Sequence, residues 1–257
     1  MAISGLLLLA DSRLPSGGHG HSFGVEALVD RGLVTDADDL AVFLDGRVRT
    51  AGRVTAAAAA TACVLAAFPS VAPARNSAPQ RSSRASSNSD SVPNRGQRRP
   101  DWARWDAAVS ARTPSAALRV ASRAQGAALL RTVTLAWPHP AVDAIQALPR
   151  VHHPLVLGVA AAAAGADAEQ AAALAVHHLI GGACTAAVRL LGLDPLRVAA
   201  VAAAAGRAGE TVVGDAAAAA SRAVTLDDPT LLPTDGAPLA EVLAELHGRS
   251  EVALFAS

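Results

Sequence analysis

Lysine is missing altogether: every one of the 22 basic residues in this 257-residue chain is arginine. That excludes a P-loop lysine, Schiff-base chemistry and a lysine general base. Any nucleotide hydrolysis in this system therefore falls to another protein. Cysteine is scarce too. Cys63 and Cys184 stand far apart with no C-x-x-C spacing, which fits buried apolar thiols in a reducing compartment. Aromatic residues make up only 3% of the chain while alanine runs recur, and this favours thin, close-packed helices over a β-sandwich. Neither sign of charge is in excess, with a formal net charge of +0, so nothing general argues for nucleic acid or an anionic membrane as partner. The apolar run at 3–10 has no basic residue before it and meets Asp11-Ser12-Arg13 at once, which argues against a signal peptide. The uncharged stretch Gln170–Val188 contains His177, His178, Gly181 and Gly182 and reads as a buried core helix rather than a bilayer span. A soluble, cytoplasmic protein is expected.

What is present is helical punctuation. A short helix is expected near 4–11, then a loop at Pro15-Ser16-Gly17-Gly18. Ser22 is the expected cap of a helix carrying Val25, Leu28 and Val29, ending near Gly32. Thr35 or Asp36 can cap the next, which runs through the alanine block to Phe68, where Pro69 stops it. Residues 70–100 are rich in Ser, Pro, Asn and Arg with one acid, Asp90, and cannot bury enough surface to offset the entropy of ordering. They read as a disordered insertion, either an expanded helix–helix loop or an anion-binding tether. Helix resumes at Asp101 with Trp102, Trp105 and Val109 on one stripe. Thr113-Pro114 suggests the cap and first turn of a helix over 114–136. A short helix among Pro138, Pro140, Pro149 and Pro154 precedes helices near 154–164, 167–191 and 195–223, and a last one spans Leu239–His247. The expectation is a single all-α domain over 1–257, a compact bundle of about ten helices with a C-terminal tail at 239–257.

One stretch raises three chemical readings. Gly20-His21-Ser22-Phe23-Gly24 spells G-x-S-x-G, the nucleophile elbow of a serine hydrolase, but an elbow needs a strand before it and a parallel sheet beneath. Here one short apolar segment precedes it, and Ser22 suits a helix cap better. His19 and His21, two apart in a glycine loop, can capture a nickel-like ion transiently. The adjacent pairs His152/His153 and His177/His178 lack the i, i+4 spacing that places two imidazoles on one helix face. The third reading is recognition by other proteins.

That reading is carried by a resemblance. "LLLLADSRLPSGGHGHSFGVEALVDRGLV" resembles the N-terminal signature of UreF-type urease accessory proteins. Asp11, Ser12, Leu14, Pro15, Gly17, Gly18, Ser22, Gly24 and Glu26 match it residue by residue. "ASRAQGAALLRTV", "HHPLVLGVAAAAAG" and "LIGGACTAAVRLLGLDP" follow in the family's order. The resemblance implies an all-helical, dimeric, non-catalytic scaffold. Such a scaffold bridges a nickel-carrying UreG-type GTPase and a UreH/UreD-type scaffold on apo-urease, regulates the GTPase and offers nickel a route. No tightly bound cofactor, nucleic acid or membrane is implied, only transient nickel passage. Carried onto this chain, it makes Glu26, His19, Arg189, Leu254 and Phe255 partner-binding residues. Glu26 is also a favourable first-turn charge, and Arg189, on an apolar helix, is expected to need a salt-bridge or C-cap acceptor. The family's ending, His-Glu then Arg-Leu-Phe, is altered here to His247-Gly248 and Ala253-Leu254-Phe255. A serine hydrolase using Ser22 and a free-standing nickel metallochaperone are the rival functions.

Overall fold

The alanine block is the centre of the molecule. In the computed structural model, which describes residues 3–68, 99–248 and 255, Ala56–Ala60 and Ala62 are all buried. The helices are α1 (Ile3–Ala10), α2 (Val25–Val29), α3 (Ala37–Arg47), α4 (Arg53–Ala66), α5 (Trp102–Ala111) and α6 (Ala116–Ala136). After them come α7 (Pro140–Gln146), α8 (His153–Ala163), α9 (Ala168–Leu191), α10 (Pro195–Thr225) and α11 (Pro238–His247). Among the described residues there is no extended strand. The chain is all-α, with about ten helices, as its composition implies.

Helix α4 packs against α8, α9 and α10, and small side chains make this possible. A Cβ added at Gly158 on α8 would overlap the Ala59 carbonyl on α4, so the two backbones meet with nothing between them. Gly158→Ala is therefore expected to cost about 1–3 kcal/mol through overpacking, read as a lower urea midpoint with unchanged slope. Helix α9 is long and apolar enough, by length and composition, to cross a bilayer. Its Ala171, Ala172, Ala175, Ala183 and Ala187 are instead buried in the common core.

Local capping follows the sequence at several ends. Asp36 accepts from the Asp38 and Asp39 amides, and Asp167 with Gln170 forms a full capping box. Asp194 caps α10 with Pro195 at its first position. Three expectations need correction. Ser22 is not the cap of α2; Gly24 is, at φ 97°, while Ser22 Oγ accepts from its amide at 3.3 Å. The expected single helix to Phe68 is broken by a π turn at Val48–Gly52 and ends at Ala66. Finally, α6 is capped by Ser115, not by Thr113-Pro114: Ser115 Oγ accepts from the Leu118 amide, and its own amide is held by a carboxylate of α11. That last contact is tertiary and leaves no local signal. Residues 69–98, most of the insertion, lie outside the described residues.

Candidate partner-binding site and histidine-lined cavity

Helix α2 is only five residues long, yet its Glu26 is 3% exposed. A carboxylate so buried needs donors, and the far end of the chain supplies them. Glu26 Oε2 accepts from the Phe255 amide at 2.9 Å and lies 3.1 Å from His247 Nε2. The same Nε2–H also faces the Phe255 carbonyl at 3.2 Å, so one imidazole bridges the carboxylate and the tail backbone. The Phe255 ring is buried beneath the Arg189 guanidinium, whose Cζ stands 4.7 Å from the ring centroid, a cation–π contact. Arg189 is an exposed residue. The expected salt-bridge or C-cap acceptor is thus replaced by an aromatic face, because a planar guanidinium stacks well on a ring.

Helix α11 is fixed by charge as well. Glu241 Oε2 accepts from the Ser115 amide at 2.6 Å, and Glu245 Oε1 accepts from Ser115 Oγ at 2.6 Å and the Ala117 amide at 2.9 Å. Two carboxylates four residues apart therefore satisfy orphan donors at the positive end of α6. The i, i+4 glutamates are a visible signal for this; their target is not. The outer face of α11 carries Leu239, Val242 and Leu246, exposed by 61%, 57% and 46%.

The glycine loop builds a second feature. Phe23 holds φ at 54°, a conformation costly for a non-glycine residue, and its ring occupies the space a Cβ at Gly182 would fill. Around it lies a cavity of about 300 Å³ lined by Asp11, His21, Phe23, Gln125, His153 and His178, among others. A smaller space of about 130 Å³ shares His21, Phe23, Gln125 and His153 with it. His153 from one adjacent pair and both members of the other, His177 and His178, converge here although neither pair has ligand spacing in sequence: the rings of His153 and His178 lie 6.0 Å apart between centroids, tilted at 38°. His178 Nε2 donates to the Leu9 carbonyl at 2.8 Å and His177 Nε2 to that of Ala10 at 3.2 Å, pinning the end of α1. Burial holds the His153 pKa down at about 3, with His178 and His21 adding to it, and burial also lowers His178. These rings are neutral, the form that ligates metals. Among the described residues, however, no group of three or more His, Cys, Asp or Glu is placed to hold an ion. In the smaller space, Arg47 buries Nε and Nη1 without hydrogen-bond partners, and burial lowers its pKa against the opposing charge of Glu241.

His152 belongs to neither feature. Its ring lies between Ser110 Oγ at 2.9 Å and Ser122 Oγ at 3.0 Å, and its amide donates to Asp106, which also pairs with Arg123. Ser22, the residue of the hydrolase reading, is fully buried and follows a 3-10 turn at Gly18–Gly20 rather than a strand.

The family model described as UreF matches residues 34–206. The chain belongs to the UreF family. The urease accessory protein UreF of Mycolicibacterium vanbaalenii is 39% identical over 256 residues, covering 100% of this chain and 99% of the relative. That of Mycobacterium marinum is 37% identical over 252 residues, 98% and 97% of the two chains. Glu26, His247 and Phe255 fall outside the span of the UreF model. Of the residues the resemblance singles out, Glu26, Arg189 and Phe255 meet in one cluster. Leu254 and the side chain of His19 lie outside the described residues. His21 lines both cavities. His247 joins this cluster through Glu26 and Phe255, while Glu241 and Glu245 hold α11 to the start of α6; the sequence shows these residues but not their partners, which lie far away along the chain.

Proposed function

We propose that this chain acts in urease maturation as a non-catalytic scaffold and GTPase regulator, the role its UreF membership supports. The observation that carries the reading is the docked C-terminal segment. Glu26 and Arg189 hold Phe255, α6 holds α11, and the opposite face of α11 presents Leu239, Val242 and Leu246 to solvent. An apolar stripe rimmed by charge is the kind of surface a protein partner covers. Its occupant in this reading is a UreH/UreD-type scaffold, which links the chain, as a homodimer in the cytoplasm, to apo-urease and to a UreG-type GTPase. Nickel is cargo here. Its transient passage would use neutral imidazoles such as His153 and His178, with His19 and His21 at the glycine loop.

The test is size-exclusion chromatography with light scattering, mixing this chain, the GTPase and the second scaffold with a GTP analogue and nickel. A ternary peak is expected for the full chain and is lost on truncation after Pro238. A full chain that elutes alone under every condition overturns the reading.

A further inference from the structure

The cavity of about 300 Å³ and the smaller one of about 130 Å³ share His21, Phe23, Gln125 and His153 as walls, so the two spaces adjoin. Gln125 on α6 and His153 on α8 are 7% and 6% exposed. Among the described residues, no hydrogen bond uses the Gln125 carboxamide or the His153 ring; only the His153 backbone amide is engaged, with Ser122 Oγ. Arg47, at the end of α3, lines the smaller space and buries Nε and Nη1 in the same condition. Each such group is costly to bury alone. Three of them around one space point to an occupant that supplies their partners.

The other polar walls are already engaged. Asp11 pairs with Arg13 at 2.7 Å, Asp235 faces Arg53 at 3.6 Å, and Glu241 accepts from the Ser115 amide at 2.6 Å. Thr55 and Thr113 donate their hydroxyls to the Ala51 and Val109 carbonyls. Arg112 donates to backbone carbonyls, among them those of Pro233 and Pro229, and its positive charge adds to that of Arg47 on the same wall.

The free groups define what fits. Arg47 offers charged donors, which suit an anionic oxygen. Asp235 and Glu241 line the same space and repel a second negative charge, which disfavours a phosphate dianion or a dicarboxylate. Burial keeps the His153 ring neutral, so it and the Gln125 amide each present a donor and an acceptor. Those suit an uncharged polar or partly apolar body, for which Phe23 and Ala186 supply apolar wall. The larger space is at the small end of the range for organic ligands.

We propose that the adjoining cavities form one binding site for a small organic monocarboxylate, its carboxylate on Arg47 and its uncharged part against Gln125 and His153. The bound acid ties α3 to α6 and α8. Binding requires no partner protein and is independent of the accessory role.

NMR titration of the full chain at pH 7.5 tests this, with acetate, butyrate and benzoate as probes and butyramide and phosphate as controls. The expected result is a saturable shift of the Gln125 side-chain amide with at least one monocarboxylate, and affinities about tenfold or more weaker for butyramide and phosphate. Arg47→Met removes a buried unpaired charge, so it should fold, and it should weaken the carboxylate by about tenfold or more. Absence of a saturable shift with all three acids overturns the proposal, as does unchanged affinity in the Arg47→Met variant. Should that variant not fold, the native chain decides alone: equal affinity for butyramide or phosphate and for the monocarboxylates also overturns it.

Discussion

Glu26→Ala is expected to release the C-terminal segment while leaving the helical core folded. The substitution removes the acceptor of the Phe255 amide and one of the two oxygens facing His247 Nε2. An orphaned buried N–H alone costs about 1–3 kcal/mol, and the side-chain void adds to it. Against this, the remaining anchors among the described residues include the Arg189–Phe255 stack and the contacts of Glu241 and Glu245 with α6. The stack contributes about 0.5–1 kcal/mol at an exposed site, so it cannot hold the segment by itself. Helix α11 should stay near α6 while Phe255 leaves. Hydrogen exchange reads this directly: the Phe255 amide loses protection, and the Leu157 and Ala160 amides of the core do not. Glu26→Gln separates charge from hydrogen bonding. The contacts with Phe255 and His247 both use Oε2, which an amide oxygen can replace, so the glutamine variant should retain much of the protection. Full protection in the alanine variant would mean that Glu26 does not hold the tail. If the segment is the docking platform for a second scaffold, the alanine variant also loses complex formation.

The two halves of this site differ in how much of them the sequence carries. Helix ends are local events, and Asp36, Asp167 and Asp194-Pro195 announce theirs because each cap bonds within three residues of itself. Ser115 does the same for α6 but is displaced from notice by the Thr113-Pro114 pair beside it. Glu26 carries an ambiguous signal: by itself it reads as a first-turn charge, and only the fold reveals a partner 229 residues away. His153 and His178 show the converse. Each looks ordinary within its own helix, and α8 packing on α9 brings their rings within 6.0 Å between centroids. For Arg189, an apolar helix predicts the need for an acceptor. The helix is apolar on its core side, and Arg189 sits on the other, over Phe255. Periodicity identifies a buried face; it does not say which distant ring or carboxylate meets the exposed one.

Acid should destabilise this protein well before its carboxylates protonate. His152 has a pKa lowered from 6.5 to about 4, chiefly by burial and then by the Arg123 charge, and His153 is lowered to about 3 by burial. The sign follows from proton counting. Both side chains are neutral in the folded protein and take up protons near pH 6.5 once unfolded, so the unfolded state binds more protons below that value. Stability is therefore complete above about pH 6.5 and falls as pH drops toward the folded-state values. Each histidine contributes at most about 1.4 kcal/mol per pH unit in that window. Two together give a slope approaching about 3 kcal/mol per unit between about pH 6 and pH 4, a large share of a typical stability of about 5–15 kcal/mol. Asp11, lowered from 3.8 to about 2, titrates below this window and does not mask it. Urea unfolding at pH 7.5, 6 and 5 checks the slope. His152→Asn keeps a polar group between Ser110 and Ser122 but removes one titrating site; the dependence should weaken without vanishing, because His153 and His178 are lowered too, while stability at pH 7.5 falls. A flat profile from pH 7.5 to 5 would show that both imidazoles accept protons in place, which their burial among Ser110, Ser122 and the α9 histidines opposes.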